Sequence, residues 1–562
     1  VRYALRPYPS LNPWWPFWRT ARRLVPALAL VLVATLLGVL LLVPELMSWD
    51  LSGQFTASML YIQNWMLSRQ EAAYAAAGVE TSPLQHLWSM SVQGQFYLFA
   101  ILLGLIVATA VSKFRAHPQK ARAITIIALA VITVASFLYA SRFGLVGTPE
   151  NYYSFFSRMW EMTLGGILAL IPRNITVPQR YSAATAAIGM AMIAITGVVI
   201  PTSLAFPGPL TLLPLTGAVL VIVSSPTNAV SQVLSSPPFQ WLGKSAYSLY
   251  LWHWPLLILS TAVGGYETPP AWLGIAVIAA SLVLAHLTHT FVEEPLRQHS
   301  PRPLAIDEPV SKARASLRTT AGRGRMAGGI AICLLVAATL SVKPYWDNQI
   351  DDAARPLDPK THPGAGVLLG AEAPDVEALP DPELIAGIFP PIGDGCMVYL
   401  DEGPNNFVPD DCVYGDPDAE TTIVLAGGSH VEPLGIPFDE LGQQHGFKVI
   451  PYVRQECPIM LGEFEDDTVS EACREWSINA FNRIVDLDPD LVISTSTRPE
   501  GHAGAAVMTL DMVPDGYLGF WEALRENNIP FIGLRDNPWI FDGAGDPMDP
   551  NYCLNAGEAF ED

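Results

Sequence analysis

The chain has 562 residues, 50% of them hydrophobic, and a mean hydropathy of +0.30. It is therefore too apolar for an ordinary soluble protein, which indicates a membrane protein with an additional domain. The net charge of -21 divides unevenly: residues 1–342 carry 22 Lys and Arg against 11 Asp and Glu, and residues 343–562 carry 10 against 42. The acidic half argues against nucleic-acid binding, which requires a basic surface.

Nine hydrophobic segments have about the 17–25 residues needed to cross a bilayer. They are residues 24–43, 96–111, 123–139, 155–171, 183–200, 206–224, 241–262, 272–292 and 326–342. Basic residues precede the first segment, follow the second and the fourth, and lie between the eighth and the ninth. We therefore expect a multi-pass protein of the inner or plasma membrane. Because cytoplasmic loops collect Lys and Arg, its N-terminus is expected in the cytoplasm and its acidic half outside it.

Residues 82–97, SPLQHLWSMSVQGQFY, lead into the second segment and are dense in polar and aromatic side chains. Lipid offers no hydrogen bonds, so polar groups at a membrane boundary must find partners or contact a substrate. We therefore interpret the stretch as an active-site loop at the outer membrane face. Its candidate catalytic residues are His86, Trp88, Ser89, Gln95 and Tyr97.

Three further candidates are ionisable side chains inside predicted spans. Burying such a side chain in a membrane is costly, so we interpret each as a candidate functional residue. Arg158 and Glu161 are three residues apart, so they can pair on a helix, either in a site or as a structural ion pair. His253 lies in an apolar run among tyrosine, serine and tryptophan residues. It is either a functional histidine or a packing residue whose hydrogen bonds are satisfied.

The acidic half contains five of the six cysteines, which favours disulfides and an oxidising compartment. Pairing neighbours in sequence predicts the disulfides Cys396–Cys412 and Cys457–Cys473, and Cys553 then has no cysteine to pair with in this sequence. A metal site is the alternative. No Cys-x-x-Cys pair and no nearby histidine cluster supports it, so we expect no metal.

Residues 343–391 are rich in Pro, Asp, Ala and Gly and indicate a linker or an irregular extension. Beyond them, apolar runs at 421–426, 447–452, 491–494 and 529–533 predict strands, and 436–445 and 471–487 predict helices. This alternation is typical of an α/β domain with a mainly parallel sheet. Ser429 follows the first strand in the sequence Ala-Gly-Gly-Ser-His.

Five motifs in chain order carry a resemblance to a known family. They are Arg22-Arg23-Leu-Val-Pro26, residues 82–97, Arg158-x-Trp160-Glu161 with Gly165-Gly166, the run from Tyr247 to Pro255, and Val292-Glu-Glu-Pro-Leu-Arg297. Together they resemble the membrane acyltransferase-3 family in its form fused to an SGNH-type domain. The resemblance implies a polytopic α-helical membrane domain (residues 1–342), the linker or extension (343–391) and an extracytoplasmic α/β SGNH-hydrolase-like domain (392–562).

The same resemblance implies a function in the cell envelope. The expected reaction moves an acyl group, usually acetyl, from acetyl-CoA or another acyl-CoA to an envelope polysaccharide or glycolipid such as lipopolysaccharide. Ser429 is the expected nucleophile of the outer domain. Arg19, Arg22 and Arg23 would meet the phosphates of coenzyme A, because arginine forks match phosphate oxygens. Plain positive-inside anchoring explains the same three arginines.

The sequence also departs from the family pattern. Two family spans, one with the histidine usually regarded as catalytic, would precede Arg19, so we expect truncation at both ends. Gln93 and Gly94 replace two glutamates, and Gly428 replaces the aspartate of a Gly-Asp-Ser motif. No Asp-x-x-His occurs in residues 343–562, so the catalytic histidine and the partner of Cys553 are expected beyond residue 562.

Two alternatives belong to other functional classes. A transporter or flippase would also have many spans and buried polar groups, but it would need no serine after a strand in an outer domain. A glycan-binding protein with a degenerate catalytic domain would account for Gly428 and for the missing Asp-x-x-His.

Overall fold

The computed structural model describes residues 14–69, 81–112, 117–144, 148–171, 177–199, 207–224, 227–266, 268–297, 319–355, 357–370, 396–399, 402–409, 412–464, 469–499 and 511–536, together with four isolated positions between 372 and 384. The chain forms two compact units, residues 1–349 and residues 350–562. The predicted disulfides Cys396–Cys412 and Cys457–Cys473 are confirmed, and Cys553 lies outside the described residues.

The described part of the first unit is helical. Its helices are α1 (Trp14–Leu42), α2 (Trp49–Met59), α3 (Gln63–Arg69), α4 (Trp88–Ser112), α5 (Pro118–Ala140), α6 (Pro149–Tyr153), α7 (Phe155–Leu170), α8 (Gln179–Val199), α9 (Leu212–Val223), α10 (Ala229–Leu234), α11 (Pro237–Val263), α12 (Ala271–Thr288), α13 (Glu294–Leu296) and α14 (Thr320–Ala353). Helices α5 and α7, α8 and α9, and α11 and α12 pack as pairs. Gly189 and Gly217 allow α8 and α9 to approach closely, because a Cβ atom on either would lie 2.6 Å from the carbonyl oxygen of the other.

Five helices of the described residues are long and apolar enough to cross a membrane: Pro16–Leu42, Gln85–Ser112, Gln119–Ala140, Ala271–Leu296 and Met326–Ala353. The protein is thus a multi-pass membrane protein. The predicted spans at 155–171, 183–200, 206–224 and 241–262 are largely helical but fall outside this set, so the total of nine remains a prediction.

Two predicted boundaries were wrong. Helix α4 begins at Trp88, so most of the predicted loop at residues 82–97 is helical and continues directly into the span. Its polar side chains did not stop the helix, because they hydrogen-bond to neighbouring segments of the bundle. Helix α14 runs to Ala353, so the first part of the predicted linker is helical as well.

The second unit is built on a sheet in the order β1-β3-β2-β4-β7. Its strands are β1 (Tyr414–Gly415), β2 (Thr421–Gly427), β3 (Phe447–Val453), β4 (Leu491–Thr495) and β7 (Phe531–Leu534), and a separate small pair joins β5 (Arg498–Pro499) and β6 (Asp511–Met512). Strands β2, β3, β4 and β7 are parallel, and β1 is antiparallel to β3. The predicted α/β fold is therefore confirmed.

Helices cover this sheet and form its core. They are α15 (Gly435–His445), α16 (Glu471–Leu487) and α17 (Asp515–Glu526), of which the sequence predicted the first two. Trp476 on α16 and Phe520 on α17 are almost fully buried against the sheet, as are both cysteines of the Cys457–Cys473 disulfide. The disulfide thus joins the segment after β3 to α16 within the core.

Candidate functional site

A cluster of aromatic and histidine side chains forms where α4 begins against α11. His86, in the 3-10 turn Gln85–Leu87, is 5% exposed, and its ring centroid lies 5.1 Å from that of Tyr250 and 5.5 Å from that of His253. The Tyr250 hydroxyl donates to the His86 carbonyl oxygen and lies 2.8 Å from the Ser89 hydroxyl. We call His86, Ser89, Tyr250 and His253 the histidine cluster; three of these four were predicted site residues.

The imidazole of His86 is unusual within this cluster. Both ring nitrogens are buried, and the groups that face the ring are the backbone carbonyls of Tyr250 and Leu251. Pro255 has no N–H with which to bond the Leu251 carbonyl in the helix, so that carbonyl is available to the imidazole. Among the described residues the imidazole therefore has backbone neighbours and no side-chain hydrogen-bond partner.

Trp88, Arg158 and Glu161 form a second group, near the start of α7. The Arg158 guanidinium lies 4.9 Å from the Trp88 ring centroid and 4.8 Å from that of Tyr152, and its Nη1 is 3.4 Å from Glu161 Oε1. Arg158 Nε also donates to the Tyr152 carbonyl oxygen at 3.2 Å. The structure thus contains the ion pair that the i,i+3 spacing predicted, enclosed by aromatic rings.

Gln95 and Tyr97, the remaining candidates of residues 82–97, differ from each other in their surroundings. Gln95 Nε2 donates to the Tyr61 carbonyl oxygen at 2.9 Å and to Asn64 Oδ1 at 2.8 Å, so it ties α4 to the segment between α2 and α3. Tyr97 is 42% exposed and does not belong to the histidine cluster. The amide of Gln95 therefore positions a neighbouring segment.

A charged cavity of about 310 Å³ lies where α1, α11 and α13 meet. Its lining combines Arg23, Lys244 and Arg297 with the carboxylates of Glu293 and Glu294. Glu293 is buried and accepts a hydrogen bond from the Ser248 hydroxyl, and Glu294 lies 3.6 Å from Arg297.

Of the three predicted phosphate-binding arginines, the cavity includes Arg23; Arg19 is exposed and Arg22 is half-buried. Lys244 was not among the residues predicted to bind phosphate. It is the only charged residue of the run 241–262, and this could have identified it as a candidate. The cavity thus combines three cations with two carboxylates, and lysine and arginine are the side chains that bind phosphate oxygens. No group of three or more His, Cys, Asp or Glu side chains in the described ranges could hold a metal ion.

In the second unit, Ser429 follows β2, the central strand of the sheet. Residues 428–431 form a turn closed by a hydrogen bond of 3.0 Å from Val431 N to Gly428 O. Strand β2 pairs with β3 on one side and with β4 on the other, so the turn lies at a topological switch point, where ligands of open α/β sheets bind. A Cβ atom at Gly428 would make only ordinary contacts of 3.4 Å with Cys457, so the space there does not exclude a larger residue.

His430 and Asp536 form a pair that the sequence did not predict. His430 Nδ1 lies 2.7 Å from Asp536 Oδ1, and the Asp536 side chain is 6% exposed. Asp536 follows β7, and its N–H donates to Thr497 Oγ1 at 3.0 Å. A histidine hydrogen-bonded to a buried carboxylate thus directly follows Ser429 in the chain, at the carboxyl edge of the sheet. A serine, a histidine and a carboxylate are the residue types that supply an activated hydroxyl nucleophile.

Comparison with known families agrees with both units. The acyltransferase domain family, acyltransferase 3, matches residues 10–289, and the SGNH domain found fused to such domains matches residues 396–555. The chain belongs to the acyltransferase-3 family in its SGNH-fused form. The histidine cluster lies in the first match, as do Arg23 and Lys244 of the charged cavity. The second match contains Ser429, His430 and Asp536.

Several relatives carry names that refer to O-acetylation, and the following are two of them. Peptidoglycan O-acetyltransferase OatA of Listeria monocytogenes is 28% identical over 298 residues, which are 50% of this chain and 46% of that protein. O-acetyltransferase OatA of Staphylococcus aureus is 26% identical over 299 residues, which are 50% of this chain and 47% of that protein. The chain thus covers less than half the length of these relatives, and no solved structure matches it.

Proposed function

We propose that this acyltransferase-3 protein moves an acyl group, most simply acetyl, from a cytoplasmic acyl-CoA to a hydroxyl group of a cell-envelope glycan. The observation that carries the proposal is the serine of the outer unit. Ser429 lies at the carboxyl edge of the central strand beside the His430–Asp536 pair, in a chain whose other unit is a membrane acyltransferase domain.

On the donor side, the charged cavity supports the proposal. Arg23 and Arg297 belong to segments that the distribution of basic residues assigns to the cytoplasm. With Lys244 they would hold the phosphates of coenzyme A, and the thioester supplies an activated acyl group. Glu293 and Glu294 would keep the cavity from binding anions indiscriminately, because like charges repel.

On the outer side, we assign Ser429 as the residue that accepts the acyl group. His430 takes the proton of the serine hydroxyl as the serine oxygen bonds to the acyl carbon, and it passes that proton to the group that leaves the acyl carbon in the same step. Asp536 orients His430 through the hydrogen bond of 2.7 Å. His430 then takes the proton of the attacking glycan hydroxyl and passes it to the serine oxygen as the bond between the acyl carbon and Ser429 breaks. Overall, the thioester C–S bond of the acyl-CoA and the O–H bond of the glycan are exchanged for an ester C–O bond and the S–H bond of coenzyme A.

The name of the Listeria monocytogenes relative gives peptidoglycan as the acceptor of that protein. In our proposal the acceptor of this chain is likewise an envelope polysaccharide, and the outer unit is extracytoplasmic. The two disulfides support that location, because such bonds persist in oxidising compartments.

Gly428 favours a second candidate function. Because the usual aspartate of the Gly-Asp-Ser motif is absent, the outer unit could bind the glycan without chemistry while the membrane unit transfers the acyl group alone. The two candidates differ in whether Ser429 is required for transfer.

Ser429→Ala in the full chain tests the proposal. Membrane vesicles that contain the protein and the glycan would be supplied with labelled acetyl-CoA, and ester-linked label on the glycan would be measured. We expect Ser429→Ala to abolish labelling, whereas Ser341→Ala, an exposed serine on α14, retains it. Labelling that is undiminished in Ser429→Ala would instead support the glycan-binding alternative.

A further inference from the structure

Residues 496 and 497 join the main sheet of the second unit to its small strand pair. Strand β4 ends at Thr495, and β5 begins at Arg498, which pairs with Met512 of β6. Thr495 and Arg498 are both buried. The joining residues are thus held by a strand at each end, and side chains on such a segment are placed more precisely than side chains on a free loop.

The end of β7 lies directly along this segment. Thr495 pairs with Leu534 in the parallel register, and Ser496 N donates to the Leu534 carbonyl oxygen at 2.7 Å. A Cβ atom at Gly533 would lie 2.7 Å from Ser496 Cβ, so this close approach requires a residue without a side chain at position 533. The backbone of β7 is therefore fixed on the joining segment up to the last residue of the strand.

Thr497 extends this attachment to Asp536. In a parallel pair of strands, the donor that follows the bond from Ser496 N is Asp536 N. That N–H donates to Thr497 Oγ1 at 3.0 Å, so a side-chain hydroxyl is an acceptor just beyond Leu534, where the strand ends. The bond fixes the backbone from which the Asp536 carboxylate reaches His430 Nδ1 at 2.7 Å.

We infer that Thr497 is a positioning residue for acyl transfer at Ser429. Its hydroxyl oxygen holds the backbone of Asp536, and the Asp536 carboxylate in turn holds the imidazole of His430. The inference rests on the proposed function, because it takes His430 as the base that serves Ser429. A carboxylate orients an imidazole only within hydrogen-bond geometry, which a small backbone shift would lose. Thr497 itself exchanges no proton.

Thr497→Val removes the acceptor and keeps the branched shape of the side chain. We expect kcat for labelled acetyl transfer to fall about tenfold, because a small displacement of a catalytic group is enough for such a loss. KM for acetyl-CoA should stay unchanged, since the donor is proposed to bind in the first unit. Thr497→Ser keeps the hydroxyl and should retain most of the rate. Thr421→Val is the matched control, at an exposed threonine where β2 begins.

A double variant tests whether Thr497 acts through Asp536. In the background of Asp536→Asn, Thr497→Val should cause little further loss, because the charge that it positions is already gone. Thermal unfolding of the full chain shows that each variant is folded. If Thr497→Val does not fold, Thr497→Ala replaces it, and the comparison with Thr497→Ser is made in the same way.

The outcomes separate this inference from the proposed function. A wild-type kcat for the folded variant without the hydroxyl overturns the role of Thr497, as does a loss in Thr497→Ser equal to that in Thr497→Val. Losses that add fully in the double variant also overturn it, because they place the effect away from Asp536. All three leave the proposed function standing while Ser429→Ala abolishes labelling. Undiminished labelling in Ser429→Ala overturns the proposed role of Ser429, and that of Thr497 with it.

Discussion

Replacing Asp536 with asparagine removes the negative charge from the His430–Asp536 pair and keeps the shape of the side chain. The pair has a hydrogen bond of 2.7 Å; the Asp536 side chain is 6% exposed and the His430 side chain 39%, so solvent screens the pair on the histidine side only. A hydrogen bond to a charged group contributes about 1.5–3 kcal/mol. If His430 is the base for Ser429, that energy helps to stabilise the imidazolium that forms during transfer.

A loss of about 1.4 kcal/mol corresponds to a tenfold change in rate, so Asp536→Asn should lower the rate of acetyl transfer about 10- to 100-fold. The assay follows ester-linked label on the glycan under saturating labelled acetyl-CoA, and thermal unfolding confirms that the variant is folded. Asp418→Asn, an exposed aspartate of the same unit, is the matched control and should keep the wild-type rate. A wild-type rate for folded Asp536→Asn would refute the assignment of His430 as the base.

Two further predictions concern stability and donor binding. Replacing both Cys457 and Cys473 by alanine should destabilise the outer unit by about 3 kcal/mol, because their disulfide closes a loop of 16 residues inside the core. Denaturant unfolding measures this loss, and an unchanged unfolding midpoint would contradict it. Lys244→Gln should raise the KM for acetyl-CoA several-fold and leave kcat almost unchanged, and the KM of this variant should depend less on salt than the KM of wild type. The control is Lys360→Gln, at an exposed lysine of the second unit, and it should leave KM unchanged. A KM for Lys244→Gln equal to that of wild type would remove this lysine from the donor site.

The sequence predicted the outer unit well because its signals are local. Strands β2, β3 and β4 are short apolar runs bounded by turn residues, and α16 has a clear polar and apolar face with Ser470 as its N-cap. The spacing of cysteines within one acidic half was enough to predict both disulfides. Ser429 could be singled out because it directly follows the first strand.

The contacts that build the candidate sites could not be predicted in this way. His430 and Asp536 are 106 residues apart, and a sequence without its fold gives no reason to pair them. His86 and His253 were both predicted as site residues, but their proximity follows from the packing of α4 against α11. The contact of Tyr61 with Gly94 joins residues 33 positions apart, and it follows from the packing of the segment between α2 and α3 on α4.

In our proposal Ser429 carries the acyl group before the glycan does, and capture of that ester is the sharpest test of this order. The full-length chain would be incubated with labelled acetyl-CoA in membranes without acceptor glycan, quenched in acid and digested, and the peptide containing residue 429 examined by mass spectrometry. We expect an acetyl ester on Ser429 that disappears when glycan is added and that is absent from Ser429→Ala. Labelled glycan formed at the wild-type rate, with no ester on Ser429 at any time, would contradict it.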